Sequence, residues 1–232
     1  MFDHKNILYE DNHILIVNKV SGQLVQPDKE ENESLEDEIK KYIKERDNKP
    51  GNVFLGVIHR IDRPVSGVVL FAKTSKALAR LNQMQQERKI TKIYWAITAH
   101  IPEKTKGTLE HYLVRNESKN ISYVRKKESK NAKLALLNYE IIGQSDLYYL
   151  WQIELLTGRH HQIRCQLAYI QCPIRGDVKY GFPRANSDKS ISLHARSIHF
   201  LHPISHSKIS VVAPVPHDKL WEFFEKSVSA RF

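Results

Sequence analysis

Cysteine is scarce in this chain, with two thiols, Cys165 and Cys172, among 232 residues. That excludes a disulfide framework and suggests reduced thiols in the cytosol. Seven residues apart on or just beyond one expected helix, they read as inert packing groups. Long apolar runs are missing too. Nothing approaches the roughly 20 apolar residues of a membrane span, and Met1-Phe2-Asp3-His4-Lys5 lacks the basic-then-apolar layout of a secretory signal. The expectation is a cytoplasmic protein with no membrane association. The chain has no glycine-rich phosphate loop, dinucleotide fingerprint, internal repeat or low-complexity linker. Twelve histidines invite a metal reading, above all His160-His161 with His199, His202 and His206. No cysteine or carboxylate cluster accompanies them, so no metal is expected.

What is present is charge, unevenly spread. The formal net charge is +10 and the isoelectric point is near 9.5. Residues 28–38 hold seven acids against Lys29, a local balance of −6, which leaves +16 for the rest. Residues 119–133 hold Lys119, Arg125, Lys126, Lys127, Lys130 and Lys133 against Glu128. Such a surface suits a polyanion, and nucleic acid is the first candidate. A solvated basic face with no partner is the alternative.

At this length the chain is one large domain or two small ones, and we read it as one, residues 1–232. Ile7-Leu8-Tyr9 and Ile14-Leu15-Ile16-Val17, split by Glu10-Asp11-Asn12, predict a hairpin. Ser34 with Asp37 forms a capping box ahead of Leu35, Ile39, Tyr42 and Ile43, which predicts a helix over 35–46. Strands are expected at 53–58, 67–73, 92–98, 132–142, 147–156, 191–201 and 208–213. Helices are expected at 75–88, at 160–170 and after Pro216. Strands and helices do not alternate, so the expected class is α+β, with a mixed, largely antiparallel central sheet flanked by helices and loops.

One carboxylate stands out. In His59-Arg60-Ile61-Asp62-Arg63-Pro64-Val65-Ser66-Gly67, Asp62 sits between two guanidinium groups with apolar runs on both sides. Nearby positive charge favours the ionised form, which a carboxylate nucleophile or anionic base requires. An Arg-Asp-Arg surface cluster is the plainer reading.

Three segments extend that observation. The Asp62 segment resembles the catalytic-aspartate motif of RluA-type pseudouridine synthases. Lys92-Ile93-Tyr94-Trp95-Ala96 resembles their tyrosine motif. Leu156-Thr157-Gly158-Arg159-His160-His161-Gln162-Ile163-Arg164, continued by Pro173-Ile174-Arg175-Gly176-Asp177 and Tyr180-Gly181, resembles their third motif. The opening from Ile7 through Asn18-Lys19 fits the start of their catalytic domain. Three departures are visible: Gln166 where relatives usually have His, Val20 where Pro is common, and Arg63-Pro64-Val65-Ser66 in place of an acid-and-threonine loop.

The resemblance implies a cofactor-free isomerase that flips a uridine out of ribosomal or transfer RNA, detaches it and rejoins it through carbon 5. By it, Asp62 is the catalytic carboxylate, Arg164 its ion-pair partner and Tyr94 the ring that stacks on the base. His59 and Arg60 would contact RNA, Arg60 by filling the gap the base leaves. Lys126, Lys127 and Lys130 would form the RNA track. Few residues precede the first strand, so a catalytic domain alone, acting as a monomer, is expected. Two other readings compete: a non-catalytic RNA-binding or ribosome-assembly protein keeping the fold, and a metal-dependent nuclease.

Overall fold

The computed structural model describes residues 2–27 and 32–229. Part of the acidic run, residues 28–31, lies outside the described residues. In chain order the strands and helices are β1 (Ile7–Glu10), β2 (Ile14–Lys19), α1 (Leu35–Arg46), β3 (Gly56–Val57), β4 (Ser66–Ala72) and α2 (Ser75–Gln86). Then come β5 (Thr91–Thr98), β6 (Lys106–Asn116), β7 (Ile121–Arg125), β8 (Lys133–Gln144), β9 (Tyr149–Leu155) and α3 (Gln162–Tyr169). The chain closes with β10 (Leu193–Leu201), β11 (Lys208–Val212) and α4 (Lys219–Ser229). The class is α+β, as the irregular alternation of strand and helix patterns predicts.

Two compact units share these elements: Met1–Thr91 with Ala195–Pro214, and Lys92–His194 with Val215–Phe232. In the first, β2 is the antiparallel partner of both β1 and β4, and β10 pairs with β11. All seven residues of β4 are buried, because the strand has neighbours along both edges. The expected strand at 53–58 shrinks to the two residues of β3, which reach only Ala72 and Phe71 of β4. The rest of that edge is taken by β10. Gly67 marks the closest approach: its φ is +113°, and a Cβ there would lie 2.3 Å from the Ala195 carbonyl oxygen. Only glycine fits.

Helix α1 begins where the capping box predicts. Ser34 Oγ accepts the Asp37 amide, and the Asp37 carboxylate accepts the Ser34 amide. Its far end is fixed to β1, since Arg46 reaches both oxygens of Glu10 at 2.7 and 2.9 Å. Lys73 adds a third contact at 2.6 Å. The Arg46 bonds hold the Glu10 carboxyl below its ordinary range.

The second unit is an antiparallel sheet in the order β5-β9-β8-β6-β7. Strand alternation gives it two faces. Trp95, Ile97 and Leu150 meet Trp221 and Phe224 of α4 on one. The other carries Ala135 and Leu113, which pack on Cys165 of α3. Gln166, fully buried, donates from Nε2 to the carbonyls of Leu109 and Ala135 at 3.2 Å each. The departure at Gln166 therefore stitches α3 to the sheet. Both cysteines are buried, and burial pushes each thiol up to about 11.

The strands β6 and β7 were not among the sequence expectations. Their basic and polar residues mask the two-residue alternation, and they form a hairpin whose second strand runs into the basic residues between β7 and β8. Among the described residues no helix is long and apolar enough to cross a membrane.

Candidate active site

The segment from Ile58 to Val65 joins β3 to β4 and is pinned by both backbone and side chains. Gln85 of α2 donates to the Ile58 carbonyl at 3.2 Å. The Leu70 amide donates to Nε2 of His59 at 3.3 Å, which ties that ring to β4. Ile58, Ile61 and Val65 are buried. The Val65 amide closes a turn on the Asp62 carbonyl at 3.0 Å. The turn leaves Asp62 half-buried and Arg60 and Arg63 exposed.

A second set of bonds joins this turn to residues 19–23. The Gly22 amide donates to the Arg63 carbonyl at 2.8 Å, and Arg63 Nε returns a bond to the Gly22 carbonyl at 3.0 Å. Ser21 Oγ donates to the Pro64 carbonyl at 3.1 Å. Gly22 has a φ of +92°, which suits this tight return. Arg63, which the resemblance left without a role, is the clamp of the loop.

Lys19 is fully buried, and its Nζ donates to the carbonyls of Val20, Gln23 and Arg63 at 3.0, 2.9 and 3.2 Å. Three carbonyls match the three N–H donors of an ammonium. Burial pushes Lys19 down to about 7, with the Asp62 charge acting upward and Arg63 downward. The Val20 amide donates to Gln23 Oε1 at 3.3 Å, a bond that the proline common at this position could not make. Sequence reasoning placed Lys19 in the opening motif but did not foresee its grip on the Asp62 loop.

In the second unit, Tyr94 on β5 is buried and lies opposite Ile153 of β9, which in turn faces Tyr139 of β8. Tyr94 therefore projects from the face that packs on α3. Arg164, which the resemblance pairs with Asp62, is only 5% exposed. All of Gln162–Leu167 is buried, because α3 lies between the sheet and residues 177–180. Arg164 Nε and Nη2 fork onto the two oxygens of Asp177 at 2.7 and 2.8 Å, and Asp177 is itself 1% exposed. The Arg164 guanidinium carbon lies 5.1 Å from the centre of the Tyr180 ring. Asp177 and Tyr180 stood in the quoted motif without a role. Their separation from Arg164 in sequence hid the pairing.

The residues read from the sequence thus fall into three groups. His59, Arg60 and Asp62 share one loop of the first unit. Tyr94 and Arg164 lie on one face of the second unit's sheet. Lys126, Lys127 and Lys130 are exposed in the connection from β7 to β8. Beside them Lys127 lies 6.0 Å from the Tyr112 ring, and Arg125 lies 5.0 Å from the Tyr123 ring. Cations interleaved with aromatic faces suit a nucleic-acid strand. The histidines of the metal reading have other company: His202 Nε2 lies 2.9 Å from the Asp11 carboxylate, and His160 stacks on His161 at 3.8 Å.

A family model described as RNA pseudouridylate synthase matches residues 13–169. The chain is 34% identical over 201 residues to an uncharacterized RNA pseudouridine synthase, the MG209 homolog of Mycoplasma pneumoniae, covering 85% of this chain and 62% of that protein. It is 32% identical over 219 residues to ribosomal large subunit pseudouridine synthase C of Buchnera aphidicola, covering 91% and 67%. The chain thus spans about two thirds of the length of these curated relatives. Among solved structures, human RNA pseudouridylate synthase domain containing 4 matches with a TM-score of 0.79 at 22% identity, over 97% of this chain and 93% of that one. At that identity the likeness speaks to the fold.

Proposed function

We propose that this chain, which belongs to the RNA pseudouridylate synthase family, isomerises uridine to pseudouridine in RNA. The observation that carries the reading is Asp62, a half-buried carboxylate on a turn clamped by Lys19, Ser21, Gly22 and Arg63, inside the span the family model matches. The matched span draws on both compact units, which supports reading the chain as one catalytic domain.

In this reading the target base leaves its stack at a cost of a few kcal/mol. Stacking on Tyr94 recovers roughly 1–3 kcal/mol. The bond from the sugar carbon to N1 breaks, the base turns, and the same carbon bonds to C5. The C5 proton is lost and N1 gains one, so no atom or electron is exchanged with a cofactor. Positive charge develops on the sugar as the first bond breaks, and the Asp62 carboxylate stabilises it. Arg164 is assigned as the ion-pair partner that orients Asp62. Arg60 and His59 contact the RNA beside the flipped base.

Large-subunit ribosomal RNA is the favoured substrate over transfer RNA, because relatives such as the Buchnera protein bear that name. The test is pseudouridine mapping of cellular RNA with and without the gene. Sites that vanish with the gene support the reading and name the substrate; an unchanged map overturns it and favours a non-catalytic RNA-binding protein. The RNA track makes its own prediction. Replacing Lys126, Lys127 and Lys130 with Ala flattens the log–log salt dependence of RNA binding by about 0.7–0.9 per lost phosphate contact. An unchanged slope in filter-binding titrations places the track elsewhere.

A further inference from the structure

The hairpin that runs into the basic cluster is bonded to the neighbourhood of Arg164 through several contacts. Strand β7 is the outer strand of its sheet. There the Ser122 amide donates to the Tyr180 hydroxyl at 2.8 Å. The same hydroxyl lies 3.0 Å from Nδ1 of His161, the residue that precedes α3 in a left-handed conformation with φ 51°. Ser122 Oγ donates to the His160 carbonyl at 2.7 Å and lies 2.9 Å from His160 Nδ1. Asn120 Oδ1 lies 3.0 Å from His160 Nε2. Residues 120–122 thus hold the two residues that lead into α3, and the Tyr180 ring lies against the Arg164 guanidinium. Tyr180 joins both sets of contacts with one side chain. Burial pushes its hydroxyl pKa up, so it stays protonated and able to donate to His161.

We propose that Tyr180 is a positioning residue that couples the basic hairpin to Arg164, so that RNA held by the hairpin sets the guanidinium for turnover. The inference rests on the pseudouridine synthase reading above. A ring alone supports Arg164 from one side. The hydroxyl adds the link to β7, the strand that leads directly into Lys126, Lys127 and Lys130.

The test is a mutant cycle read by single-turnover pseudouridine formation on an in vitro transcript of large-subunit ribosomal RNA, with enzyme in saturating excess. Tyr180→Phe keeps the ring and removes both hydroxyl bonds. Its rate is expected to fall about tenfold while RNA affinity stays within about twofold. The Lys126→Ala, Lys127→Ala, Lys130→Ala triple variant is expected to lower the saturated rate in the wild-type background and to add no loss to Tyr180→Phe. Ser122→Ala cuts the two Oγ contacts to His160, and its rate should move in the same direction if Tyr180→Phe folds poorly. A residue that merely supports the fold would give additive losses. Additive losses, or a Tyr180→Phe rate equal to wild type, overturn the coupling while the functional reading stands. A wild-type protein that forms no pseudouridine on any RNA sinks the functional reading, and the coupling with it.

Discussion

Asp62→Asn is expected to stop turnover and leave RNA bound. The substitution preserves shape, and the bonds by which Lys19, Ser21, Gly22 and Arg63 clamp the turn do not involve the Asp62 carboxylate. The loop therefore keeps its geometry while the reacting atoms lose a negative charge. Removing one group that acts mainly in the transition state costs on the order of 10²–10³-fold even for a neutral donor. Loss of the charge that meets the forming sugar cation should reach about 10³-fold or more. Purified wild-type and variant proteins compared by single-turnover pseudouridine formation and by RNA binding check this. A variant within tenfold of wild type would remove Asp62 from the chemistry, and a parallel loss of binding would make it an RNA contact.

The second large effect is on stability. Asp177→Asn takes the forked carboxylate away from a buried guanidinium, because Arg164 and Asp177 are 5% and 1% exposed. Breaking a buried pair from one side costs about 3–5 kcal/mol. For a chain of this size that is a drop of roughly 6–20 °C in melting temperature. Calorimetry or far-UV melts measure it directly. A shift under about 2 °C would mean that water or another group satisfies Arg164. The exposed pair Lys41–Glu33 is the contrast, since solvent screens it and Glu33→Gln should leave the melt nearly unmoved. Arg164→Lys should resemble Asp177→Asn, because an ammonium cannot form the two-pronged contact.

Much of this architecture could be read before any coordinates. The Ser34–Asp37 capping box placed α1 at its observed first residue, and the break between the strands expected at 132–142 and 147–156 marked the turn between β8 and β9. These features are local, set by caps, turns and periodicity. The hairpin of β6 and β7 escaped because a strand whose outer face is basic and whose inner face meets a short helix lacks a clean alternation. The short β3 escaped for a different reason: its length is fixed by how much of β4 the distant β10 leaves open. The site divides along the same line. Asp62 and Tyr94 were visible in their motifs, while the grip of Lys19 on the Arg63 carbonyl and the fork from Arg164 to Asp177 join residues 44 and 13 positions apart. Charge pattern around Asp62 suggested Arg63 as a countercharge, and the fold uses it as a clamp on Gly22.

The two buried cysteines have a practical consequence. With both thiols pushed up to about 11, almost none of either is thiolate at neutral pH, and neither faces solvent. Maleimide dyes should therefore pass over the native chain. A single cysteine introduced at an exposed position beside the hairpin, such as Lys130 in the connection from β7 to β8, would then take nearly all of the label. Its fluorescence would report on the hairpin as RNA arrives, without first stripping the protein of its own sulfur.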